Sequence, residues 1–216
     1  MGLIARWQGL RSGLCARGVS LVAVSKYAEE DAVAALVQAG QIDFAESRPQ
    51  QLRDRALRYP DAQWHMIGPL QKNKAKYIGR HAAMWHSAED VQTARAVAEH
   101  VQGRVLPVLI QVNMAGVAHQ HGVPAEAVPD LLAGLLRMPQ LKFSGLMCMA
   151  PRQSNASEVF AGLRGLREEL LNGSLCLPCH PLLCMGMSGD YRIAVEQGSD
   201  MVRIGSALFG EAEKKD

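Results

Sequence analysis

Aromatic side chains are scarce in this 216-residue sequence, with Phe, Trp and Tyr together making up 5% of it. A surface that stacks nucleic-acid bases needs such rings. The 23 Lys and Arg residues barely outnumber the 21 Asp and Glu, so no strong field draws the chain to nucleic acid or to an anionic membrane. No apolar run approaches the roughly 20 residues of a membrane-spanning helix. The opening Met1-Gly2-Leu3-Ile4-Ala5-Arg6 lacks the apolar stretch and cleavage site of a secretory signal. Arg6 also stands where a myristoylation motif wants Ser or Thr. These absences predict a cytoplasmic protein whose five cysteines are reduced. No G-x-G-x-x-G follows the first strand-like run, which argues against an open dinucleotide-binding sheet.

What is present is an alternation. Hydrophobic residues make up 48% and charged residues 20%, the balance of an ordinary globular chain long enough to bury its own core. Apolar, strand-like runs occur at 21–25, 42–45, 63–67, 83–87, 105–112, 142–148, 182–186 and 201–204. Between them the spacing turns helical, as in Ala32, Val33, Leu36 and Val37, or Val128, Leu131, Leu132 and Leu135. Gly40, Gly103, Gly173 and Gly198 stand where helix C-caps are expected. Continuous apolar strands alternating with helices predict parallel pairing. The economical closure is a single (β/α)8 TIM barrel over residues 1–216, preceded within it by a helical lead-in at 1–20 that Gly13 and Gly18 break.

In such a barrel, chemistry sits at the C-terminal ends of the strands. Lys26, Glu46 with Ser47, His65 with Gly68, Ser87, Asn113, Met147, Ser188 and Arg203 all fall there. Lys26 closes the first strand. Apolar surroundings favour the neutral form of an amine, the form that attacks a carbonyl to make a Schiff base. A strand-end lysine that simply reaches into water is the plainer alternative. The last two units each place small hydrogen-bonding residues after a strand, Ser188-Gly189 and Gly205-Ser206, and such turns bind phosphate. Each alone is a turn residue or a cap. Together, opposite a strand-end lysine, they point to a ligand bearing both a carbonyl and a phosphate. Cys176-Leu177-Pro178-Cys179-His180 has the C-x-x-C-H spacing but no export signal, and is taken as chance clustering. His119 and His121 are taken as loop residues, and Lys72, Lys74 and Lys76 as a solvated face.

Several motifs, in order, then resemble one family. They are Ala-Val-Ser-Lys at 23–26, Trp-His-Met-Ile-Gly-Pro-Leu-Gln-Lys-Asn-Lys at 64–74 and Gln-Val-Asn at 111–113. Gly-Leu-Met at 145–147, Met-Gly-Met-Ser-Gly-Asp at 185–190 and Val-Arg-Ile-Gly-Ser-Ala-Leu-Phe-Gly at 202–210 complete the set. The sequence resembles the pyridoxal-phosphate homeostasis proteins, which look like the isolated barrel domain of alanine racemase. The resemblance implies pyridoxal 5′-phosphate (PLP) held as a Schiff base on Lys26, with Ser188 and the Gly205–Ser206 amides on the phosphate. It implies Arg203 against the pyridine nitrogen, and adds Ser47, His65 and Met185 to the cofactor-binding set. A guanidinium cannot accept a hydrogen bond, so it leaves that nitrogen unprotonated and weakens the cofactor as an electron sink. Two positions depart from the family pattern. Ser47 replaces the asparagine usual near the ring, and Pro69 replaces the usual histidine after Ile-Gly.

The function implied is intracellular vitamin B6 homeostasis by a non-catalytic, monomeric PLP-binding protein, with PLP-dependent apoenzymes as conceivable partners. A PLP-dependent amino-acid racemase of low activity is the alternative. Racemisation in alanine racemase uses a tyrosine supplied across a dimer by an added β domain, which this sequence is expected to lack. A lysine aldolase without cofactor ranks last.

Overall fold

A computed structural model of the chain describes residues 2–151, 154–173, 175, 177 and 180–210. Its strands are β1 (Ser20–Val24), β2 (Asp43–Glu46), β3 (Gln63–Met66), β4 (Met84–Ala88), β5 (Leu106–Gln111), β6 (Leu141–Met147), β7 (Leu182–Cys184) and β8 (Met201–Ile204). Each pairs in parallel with the next in chain order, and β8 closes on β1, with Leu21 opposite Val202 and Ala23 opposite Ile204. A helix follows every strand: α2 (Glu30–Gln38), α3 (Pro49–Arg58), α4 (Ala75–His81), α5 (Val91–Ala98), α6 (Val128–Leu136), α7 (Ala156–Asn172), α8 (Tyr191–Glu196) and α9 (Ser206–Phe209). The expected (β/α)8 barrel is the fold.

Strand alternation sorts the side chains into two apolar layers. On β1, Leu21 and Ala23 join the layer beneath the helices, whereas Val22 and Val24 belong to a cluster inside the barrel with Ala45, Leu109, Met147, Cys184 and Met201. The bulkiest fully buried side chains, Trp64, Trp85, Phe44, Phe143 and Phe160, all lie in the outer layer. Each such burial contributes about 1.5–3 kcal/mol. The outer layer therefore holds the helices against the barrel.

The lead-in differs from expectation at one glycine. Helix α1 (Leu3–Cys15) runs unbroken through Gly13 and stops before Gly18. A mid-helix glycine costs roughly 0.5–1 kcal/mol, and the burial of Trp7 and Leu14, with the Trp7 indole donating to Gln41 Oε1 at 2.7 Å, outweighs it. Gly40 and Gly198 follow α2 and α8 with positive φ, as caps should. Gly173 ends α7 in extended backbone instead, and Gly103 lies in the loop beyond α5. No helix among the described residues is long and apolar enough to cross a membrane.

Candidate cofactor site

Because β8 pairs with β1, the turns that leave them are neighbours. A Cβ built on Gly205 would lie 3.5 Å from the carbonyl oxygen of Val24, two residues before Lys26. Ser188 joins them from the loop after β7, where its Oγ accepts the N–H groups of Gly205 at 3.2 Å and Ala207 at 3.1 Å. A hydroxyl that accepts twice still has its own hydrogen to donate. Between those two amides, the N–H of Ser206 opens α9 and has no acceptor within the helix. The β7 loop is shaped by Gly186, whose φ of +99° favours glycine and where an added Cβ would stand 2.5 Å from Ala194 Cβ. Asp190 Oδ1 also accepts the Met187 N–H at 2.6 Å. Lys26, Ser188, Gly205 and Ser206 are thereby brought onto one arc of the barrel rim. Lys26 is half-buried, with its Nζ 5.1 Å from the centre of the exposed Tyr27 ring.

Inside the barrel a polar chain crosses from β2 to β8. Asp43 Oδ1 meets His65 Nε2 at 3.2 Å, and His65 Nδ1 meets His86 Nε2 at 2.9 Å. The other ring nitrogen of His86 lies 3.4 Å from Cys184 Sγ. Arg203 donates through Nη1 to the oxygen and the sulfur of Cys184, both at 3.0 Å, and through Nη2 to the Cys148 oxygen at 3.0 Å. Its Nε makes no hydrogen bond among the described residues. Complete burial pushes the pKa of His86 well below 6.5, and the neighbouring His65 and Arg203 push the same way, so this ring is neutral at pH 7. Burial pushes the Cys148 thiol up to about 12 and also raises that of Cys184, which leaves both unreactive.

Two of the proposed contacts have side chains engaged elsewhere in the structure. Both ring nitrogens of His65 are taken up by Asp43 and His86, so it offers no free polar atom to a ligand at the rim. Met185 is fully buried in the outer, helix-facing layer, so its side chain lies away from the barrel interior. Ser47 is half-buried at the end of β2, and its hydroxyl makes no hydrogen bond among the described residues. Of the other rim residues, Ser87 Oγ donates to the Gly68 oxygen at 2.6 Å. Asn113 ties down its own loop through the Val117 and Gln120 oxygens, and Met147 fills the inner core.

Glu46, which the sequence puts at a strand end, has a distinct setting. It faces the helices, fully buried, where its Oε1 accepts the Ser25 hydroxyl at 2.6 Å and lies 4.0 Å from Arg55 Nε. Burial raises its pKa from 4.5 to about 7 against the opposing pull of Ser25, Arg55, Lys26 and Arg48. Parity was the available signal, since Phe44 and Glu46 must share a face. Cys176 and Cys179 lie outside the described residues. His119 and His121 are indeed loop residues, His119 with a φ of +70° and His121 3.4 Å from Glu89.

Residues 3–213 match the model of the alanine racemase N-terminal domain family. A pyridoxal phosphate homeostasis protein of Deinococcus radiodurans is 39% identical over 204 residues, covering 92% of each chain. The chain belongs to the pyridoxal phosphate homeostasis protein family. Solved structures of PipY from Synechococcus elongatus PCC7942 extend the likeness to the whole fold of this family member. The structure without PLP is 31% identical with a TM-score of 0.87, and the one with PLP bound is 30% identical with a TM-score of 0.85. Both alignments cover 97% of this chain and 100% of PipY.

Proposed function

We propose that this chain holds pyridoxal 5′-phosphate on Lys26 and serves intracellular vitamin B6 homeostasis without a turnover of its own. The observation that carries this reading is the rim arc, in which the turn bearing Lys26 abuts Gly205, and Gly205 is tied to Ser188. The donor set fits such a ligand. A primary amine suits the aldehyde, the Ser188 hydroxyl hydrogen and the amides around Ser206 suit a phosphate, and Arg203 retains an unpaired Nε beside the interior. The PLP carried by PipY, alike over its full length, supports the same reading.

When bound, the cofactor supplies an aldehyde and a ring that can draw electrons from a linked amine. The protein's own residues bind and orient it. Lys26 would give the covalent anchor, Ser188 and the Gly205–Ser206 backbone would hold the charged end, and Arg203 would present a positive, non-accepting group to the ring, which disfavours electron withdrawal. That last role supports storage over turnover. The protein acts in the cytoplasm as a monomer, with PLP-dependent apoenzymes as the recipients. The deciding experiment is mass spectrometry of the borohydride-reduced protein after saturation with PLP. A pyridoxyl adduct on the peptide containing Lys26 is expected, and its absence overturns the proposal.

A further inference from the structure

Next to the Lys26 turn lies a buried carboxylic acid that the proposed cofactor binding does not use. Ser25, the residue before Lys26, donates its hydroxyl to Glu46 Oε1 at 2.6 Å, while its N–H donates to the Ala45 oxygen at 3.0 Å. Glu46 is fully buried, and its second oxygen, Oε2, has no hydrogen-bond partner among the described residues. Among the described residues, the charged groups that act on it are cationic. Arg55 reaches in from α3 at 4.0 Å, and Lys26 and Arg48 act from the turns after β1 and β2. Arg55 is itself drawn away, because Glu30 of α2 holds its Nη1 at 2.5 Å. The carboxyl is thus gripped firmly on one oxygen by the β1 turn and only loosely by anything else.

We infer that Glu46 is a positioning residue for Lys26, fixing through Ser25 the turn from which the lysine side chain leaves β1. This inference rests on Lys26 as the anchor proposed above. An ionised carboxylate accepts a hydroxyl about twice as strongly as its neutral form does. The grip therefore tightens when Glu46 loses its proton, and the raised pKa of this group puts that change near neutral pH. Above the transition the lysine is held in place. Below it the turn loosens.

Two measurements on the full chain test this. In the first, cofactor dissociation is followed by absorbance from pH 5.5 to 8.5. Glu46→Gln, which keeps the shape but never ionises, releases the cofactor at least threefold faster than wild type at pH 8 and at the same rate at pH 6. Ser25→Ala does likewise, and the double variant is no faster than either single one, since both remove one bond. The second needs no cofactor. In the cofactor-free protein, labelling of Lys26 with acetic anhydride is compared with that of the exposed Lys142 by peptide mass spectrometry. The ratio for wild type steps down near pH 7, and the step vanishes in Glu46→Gln. A purely structural glutamate would slow or speed release uniformly with pH and leave the labelling ratio without a step, and either result overturns the inference. If the wild type forms no adduct on Lys26 yet the labelling step is present, the cofactor proposal fails and the positioning role stands.

Discussion

The Ser188 hydroxyl oxygen receives the backbone N–H groups of Gly205 and Ala207, at 3.2 and 3.1 Å, and so binds the loop after β7 to the loop after β8. One side chain thereby sets the shape of the rim beside Lys26 and keeps a hydroxyl hydrogen for a ligand. Ser188→Ala removes both effects. Its stability is expected to fall by about 1–3 kcal/mol, the cost of leaving N–H groups without their acceptor. Cofactor retention is expected to fall about tenfold, as one charge-assisted bond is lost. Equilibrium dialysis and urea denaturation read the two effects separately, and unchanged retention would place the phosphate elsewhere.

Lys26→Ala removes the proposed covalent anchor but leaves Ser188, Gly205 and Arg203 in place. The variant is expected to yield no borohydride-stable adduct while still binding the cofactor weakly and reversibly. Absorbance spectra with and without gel filtration distinguish the two modes. A stable adduct on another lysine would contradict the assignment.

Two buried groups give stability opposing slopes with pH. Glu46 has a folded pKa of about 7 against 4.5. A pKa raised on folding gives stability that is whole at pH 4.5 and lost as pH climbs through 7, by roughly 3 kcal/mol in this case. His86 has a folded pKa well below 6.5, so its contribution is whole above pH 6.5 and lost as pH falls. Glu46→Gln is expected to abolish the first slope and to be more stable than wild type at pH 8. Urea midpoints from pH 5 to 8 test this, and parallel curves for the two proteins would contradict it.

Gly68 is the tightest point between the β2 and β3 turns. A Cβ there would lie 2.2 Å from the Ser47 backbone oxygen. Gly68→Ala is expected to cost about 1–3 kcal/mol and to displace the end of β2. Denaturation should show the loss, and the cofactor should be held less firmly because Ser47 moves with that end.

The barrel was legible in the sequence because parallel strands covered by helices read as apolar runs, and each strand-like run lies within two residues of its strand. The rim position of Lys26, Ser188, Gly205 and Ser206 was legible too, since position at a strand's end is a local property. The rest depended on pairing. His65 looks like a rim residue in the sequence, yet its nitrogens are claimed by Asp43 and His86 from neighbouring strands, a fact set by register. Met185 follows directly on Cys184, the last residue of β7, and the alternation that turns Cys184 inward turns Met185 out toward the helices. The bond between Ser25 and Glu46 joins two side chains that the sequence separates by 21 positions.

The polar chain from Asp43 to Arg203, together with the inner cluster of Val22, Ala45, Leu109 and Met201, fills the barrel interior. A filled barrel resembles a cup open at one end. A ligand held on Lys26 as proposed would depart across the same lip, so a recipient protein would have to meet this one mouth to mouth or else draw from what spills into solution.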